Sequence, residues 1–188
     1  MPPKSKYSRE QIILAAAGIV GKSGMEALSA RSLAASLGCS PQPIFSCFAN
    51  MEQVQEAVMD YAKGLYADYI AKGLEEPLPF KGVGMQYIRF AMEEPIFFQL
   101  LFMQDKAVEQ SSFFPAEDEN APKILVALQK AHDLPLERAK ALYNHISIYT
   151  HGLAISFLGK GRIFTIEDAD RLISEIFQAL LKEAQRND

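Results

Sequence analysis

Three histidines, two cysteines and one Gly-Lys-Ser tripeptide are candidates for catalysis or metal binding. His145 and His151 are six positions apart, about 120° around a helix axis, whereas two ligands on one helix need the i, i+4 spacing. His132 stands away from both, and Cys39 and Cys47 are eight apart with no histidine at ligand spacing. Gly21-Lys22-Ser23 ends like a phosphate-binding loop, but the glycine required five positions earlier is Ala16, and a helical pattern precedes it. No nucleophile elbow is present either. These residues predict no enzyme, no metal and no cofactor.

A different chemistry is carried by residues 28–48, LSARSLAASLGCSPQPIFSCF. Ser29 and Ser40 are helix N-caps in the making, and Leu37-Gly38-Cys39-Ser40 is a short turn built around a glycine. Two short helices so joined form a helix-turn-helix, whose second helix enters the major groove of DNA. An ordinary helical hairpin has the same outline. Gln42 is the one side chain on that second helix able to make a bidentate pair with adenine. Ser40 and Ser46 are potential donors to phosphate or a base edge, while Pro43 and Phe45 suit a thymine methyl. Ile44 and Phe48 are assigned to the small core.

The elements that must position these residues are all helical. Ser8-Arg9-Glu10-Gln11 has the capping-box form, with Ile13, Ala16, Ala17 and Val20 recurring behind it up to Gly24. Helices are predicted from Ser29, from Ser40 to about Ala49, and over 51–72, 80–93, 121–132 and 136–158. Two more begin at Pro95 and Thr165, giving nine. Residues 105–120 and Gly159-Lys160-Gly161 are breaks. Strand alternation is absent. The 188 residues are 49% hydrophobic and 22% charged, enough for a core. No apolar run spans a bilayer and no signal core follows the basic start, which predicts a cytoplasmic location. Residues 1–50 carry net charge +3 and the remainder −7. A basic head on an acidic body suggests a polyanion partner at one end.

From Tyr7 to about Val58 the chain resembles the TetR (tetracycline repressor-like) family of transcriptional regulators. The matching pieces are Ile12 to Ala17, Gly24 to Ser29, Leu33 to Gly38, Ile44 to Phe48 and Asn50-Met51-Glu52, in order and at the family's spacing. Tyr149-Thr150-His151-Gly152-Leu153 is similar to a His-Gly feature of the family's ligand-binding halves. The resemblance implies a three-helix DNA-binding domain over 1–50, an effector-binding and dimerisation domain over 51–188, and a homodimer on a palindromic operator. It places Ser29 and Arg31 on the DNA backbone, with Lys4, Lys6 and Tyr7 as an arm. The sequence departs from the family at Phe45, Cys47 and Met51, and by Pro41 and Pro43 in the recognition helix.

Seven of the twelve phenylalanines fall within residues 80–114. Given the resemblance, Tyr87, Phe90, Phe97, Phe98, Phe102, Met103, His145 and Tyr149 are expected to line a pocket for an apolar or aromatic small molecule. The same wall also packs an ordinary core without difficulty, and the resemblance favours the pocket. The stripes of the last two long helices could both be interior to a monomer. The resemblance implies instead that Gly152, Leu153, Phe157, Leu172, Ile176 and Leu180 serve helix pairing between two protomers, with Gly152 at the closest approach. The function expected is a ligand-responsive homodimeric repressor. The alternative is a helical small-molecule-binding dimer whose DNA-binding head has degenerated.

Overall fold

The computed structural model describes residues 7–103, 121–159 and 164–186. Among them there are nine α-helices, one 3-10 turn and no strand. The contacts divide the chain into two compact units: Met1–Leu65 with Glu94–Met103, and Tyr66–Glu93 with Gln104–Asp188. No helix among the described residues is long and apolar enough to cross a membrane.

The first unit contains α1 (Arg9–Ser23), the 3-10 turn (Met25–Ala27), α2 (Ala30–Leu37) and α3 (Gln42–Phe45). It also holds the first part of α4 (Met51–Leu74) and all of α6 (Pro95–Phe102). Ser8 caps α1 with the expected box: its hydroxyl accepts from Gln11 N–H, and the Gln11 side chain accepts from Ser8 N–H. Ser29 caps α2 in the same reciprocal way with Ser32. Gly38 then ends α2 at φ 64°, ψ 39°, in the left-handed region that glycine enters without penalty. The N–H groups of Gly38 and Cys39 reach the carbonyls of Ala35 and Ala34, which is the Schellman closure. Ile12, Val20, Leu33, Ile44 and Val54 are wholly buried in this unit's core. Phe97 on α6 packs edge-on against Tyr61 at 5.9 Å.

The second unit contains the end of α4, then α5 (Pro79–Glu93), α7 (Ala121–His132), α8 (Leu136–Ser156) and α9 (Ile166–Gln185). Helix α5 packs on α7, α8 and α9. Leu128, Leu134, Ala139, Leu142 and Ile146 form a core cluster, onto which Ile176, Phe177 and Leu180 of α9 close. Lys81 on α5 and Asp170 on α9 form an ion pair at 2.8 Å. Thr165 caps α9 through a box with Asp168.

Candidate functional site

Beyond the turn at Gly38, α3 is shorter than its sequence pattern suggests. It spans four residues, Gln42–Phe45, rather than 40–49. Ser40 is not its cap: Pro41 occupies that position in helical conformation, and its carbonyl accepts from Ile44 and Phe45 N–H. Pro41 at the cap and Pro43 within so short a helix remove two donors and restrict the residue before each. Turns from Ile44 to Cys47 and Phe48 continue the coil without regular helix.

Ser29, Arg31, Ser40, Gln42, Phe45 and Ser46 are all exposed, and Pro43 is half-buried. Phe45, 45% exposed, is a large apolar ring left in solvent between two buried neighbours, Ile44 and Phe48. Arg31 is the one charged side chain on α2 and α3. Ser46 differs from expectation in its bonding, since its hydroxyl donates to Pro43 carbonyl at 2.7 Å. The Tyr7 hydroxyl donates to the Leu37 carbonyl and ties Tyr7 to the end of α2. Lys4 and Lys6 lie outside the described residues. At the start of α4, Gln53 N–H donates to Asn50 Oδ1 and Ala49 N–H donates to Gln53 Oε1, each at 2.9 Å.

A cavity of about 30 Å³ lies in the second unit. Tyr66 from α4 lines it, with Phe80, Val83, Gly84 and Tyr87 from α5, Ile124 from α7, and Tyr143, Ile146, Ser147 and Thr150 from α8. The expected wall is largely not this one. Of the residues assigned to a ligand pocket, Tyr87 alone lines the cavity. Phe97, Phe98, Phe102 and Met103 belong to the first unit, where Phe97 and Phe98 are core and Met103 is exposed. Phe90 is fully buried against Tyr66 and Tyr69. His145 is exposed and lines a separate surface cleft with Arg138, Leu180 and Arg186, while Tyr149 is half-buried. Phe113 and Phe114 lie outside the described residues. The signal for the cavity lies on α8, where positions 143, 146, 147 and 150 follow helical spacing, but the polar Ser147 and Thr150 interrupt the apolar stripe.

Beside the cavity, Tyr87 Oη and His151 Nδ1 are 2.8 Å apart in a buried hydrogen bond. Burial pushes the His151 pKa below the ordinary histidine value, and burial does the same for His132. A depressed histidine pKa means that the unfolded chain binds more protons, so stability falls with acidification below about pH 6.5. Thermal unfolding followed from about pH 8 down to about pH 5 is expected to show this slope. His151→Gln should flatten it in part, with His132 retaining the rest. Equal slopes in the two proteins would mean that His151 carries no such charge penalty.

The residues assigned to helix pairing also divide. Leu153 and Phe157 are buried within one chain and are therefore core, not interface. Ile176 and Leu180 are partly committed to the cluster around Leu142, and Leu172 is half-buried. Gly152 is exposed, with open space where a side chain would stand. Ile148 and Ile155, one helical turn to either side, are 50% and 40% exposed.

No protein-family model and no curated protein matches the chain. Among solved structures, a TetR variant from Acinetobacter baumannii AYE in complex with minocycline is similar over 97% of this chain and 100% of its own. The identity is 15% and the TM-score 0.57. The ketosteroid transcriptional regulator KstR2 of Mycobacterium tuberculosis is similar over 97% of each chain, at 16% identity and a TM-score of 0.47. The chain thus has a TetR-like, all-helical fold with a helix-turn-helix in its first unit.

Proposed function

We propose that this protein is a ligand-responsive DNA-binding transcriptional regulator that acts as a homodimeric repressor. The observation that carries the reading is the helix-turn-helix, closed at Gly38 and presenting Gln42, Phe45 and Arg31 to solvent. Gln42 is the base-reading side chain, Ser29 and Arg31 are backbone contacts, and Ser40, Pro43, Phe45 and Ser46 complete the surface. Lys4 and Lys6 add charge to the same head. The cavity between α5 and α8 is the effector site, a role supported by the fold's likeness to a minocycline-bound protein. Two heads in one dimer meet successive half-sites of a palindrome. Helix α4 is continuous from the head's last element to the cavity wall at Tyr66, so a shift there re-aims the head. The effector then acts by binding one of two head separations more tightly than the other.

Binding to DNA fragments flanking the coding region, titrated against salt, tests this. Each neutralised phosphate contributes about 0.9 to the slope of log K against log salt. Arg31→Ala is expected to reduce that slope by about one contact on every sequence. Gln42→Ala should cost roughly 1–3 kcal/mol on the preferred sequence and little elsewhere. A second reading, a small-molecule-binding helical dimer with a degenerate head, is favoured by Pro41 at the cap of α3, Pro43 within it and the half-buried Met51. Absence of sequence-selective binding at low salt would replace the first reading with this one.

A further inference from the structure

The cavity in the second unit has no charged residue in its wall. A wall without a cation offers an anionic ligand nothing to offset its desolvation, and the same holds for a cationic one. Four of the lining side chains are aromatic rings, which favour edge and stacking contacts with another ring. One polar atom is left over. Thr150 Oγ1 is fully buried and has no hydrogen-bond partner among the described residues, although the residue as a whole is only 4% exposed. Buried hydroxyls are nearly always paired, and one that faces a cavity can be paired by what enters it.

Gly84 lies directly opposite. A methyl group on it would stand 3.8 Å from Thr150 Oγ1 and 3.6 Å from Ile173 Cδ1, both ordinary contacts. The absence of a side chain at Gly84 therefore leaves room in front of the hydroxyl. Phe80 and Tyr143 are the half-buried members of the lining, the others being buried, so they form its mouth. Their ring centroids are 6.4 Å apart. A ring-sized ligand exceeds about 30 Å³ and enters by parting these two side chains.

We infer that the cavity selects a neutral aromatic molecule bearing one hydroxyl or carbonyl oxygen, bound through Thr150 in the space left by Gly84. This rests on the reading of the cavity as the effector site. Phenol and toluene, nearly equal in shape and differing in one oxygen, are suitable probes, because the cost of opening the mouth cancels between them.

Calorimetric titration of the full chain with each probe tests the inference. Thr150→Val keeps the shape and removes the hydroxyl. It is expected to weaken phenol about tenfold relative to toluene. The unliganded variant should melt no lower than the wild type, since an unpaired buried group has been removed. Gly84→Ala is expected to weaken both probes together without loss of fold. If both probes bind and Thr150→Val leaves their ratio unchanged, the role of Thr150 is overturned while the cavity remains a ligand site. If neither probe binds the wild type, both the ligand class and the cavity reading fall.

Discussion

Gly82→Ala is expected to destabilise the protein by about 3 kcal/mol, a large loss for one methyl group. A Cβ at this position would stand 2.3 Å from the carbonyl oxygen of Gly73 and under 3 Å from two Glu76 side-chain carbons. The reciprocal Cβ on Gly73 would stand 2.6 Å from Val83 N. Glu76 is able to swing aside, but the Gly73 carbonyl belongs to the backbone of α4. The end of α4 and the start of α5 therefore touch backbone to backbone, and a methyl group must push the two helices apart. In a chain of this size each 1 kcal/mol moves the melting temperature by about 2–4 °C, so a fall of roughly 6–12 °C is expected. Gly64→Ala on α4 is the control, since a Cβ there meets no neighbouring atom within 4 Å. That variant should gain about 1 kcal/mol from helix propensity alone. Helix α5 supplies Phe80, Val83, Gly84 and Tyr87 to the cavity, so Gly82→Ala should also weaken phenol. A melting temperature equal to that of the wild type would mean that the helix ends are not in contact.

The helices were legible because their ends are written in local chemistry. Ser8, Ser29 and Thr165 cap as their side chains suggest, and Gly38 closes α2 as a glycine in a short turn should. Local signals failed where two of them competed. Ser40 has the cap chemistry, yet Pro41 fixes its own φ and takes the position, leaving α3 only four residues long. The cavity was less legible than the fold because apolar spacing marks burial and not the partner. Phe97 and Phe102 share composition with Phe80, but their helix packs with α1 in the other unit. The polar members were harder still. Ser147 and Thr150 look like solvent-facing residues on an apolar helix, and their burial follows from the packing of α5 across them. The same limit applies to Leu153 and Phe157: their stripe indicates burial, but not whether a second chain supplies it.

Gly152→Arg is expected to convert the proposed dimer into a monomer that no longer holds its operator. The reasoning starts from the single chain, in which a side chain at Gly152 meets nothing within 4 Å. An arginine is accommodated there without strain, and replacing a mid-helix glycine adds about 0.8 kcal/mol of helix propensity. The fold of one protomer should be unharmed, with unchanged helicity and a melting temperature at least as high. In a dimer that pairs α8 with its copy, Ile148, Gly152 and Ile155 form the outward stripe, and the glycine sets the closest approach. An arginine then separates the crossing and buries a charge without a partner. Operator binding depends on two heads acting together, since each contacts one half-site. Losing the link between them removes the avidity of the pair, a fall of about 10²–10⁴-fold. Ala, by contrast, adds one methyl group and tests how close the helices run. Sedimentation of the arginine variant beside an operator titration decides the matter. If the variant remained dimeric with undiminished operator affinity, the stripe through Gly152 would not be the interface, and the cleft lined by Arg138, His145 and Leu180 would have to be tested as the pairing surface.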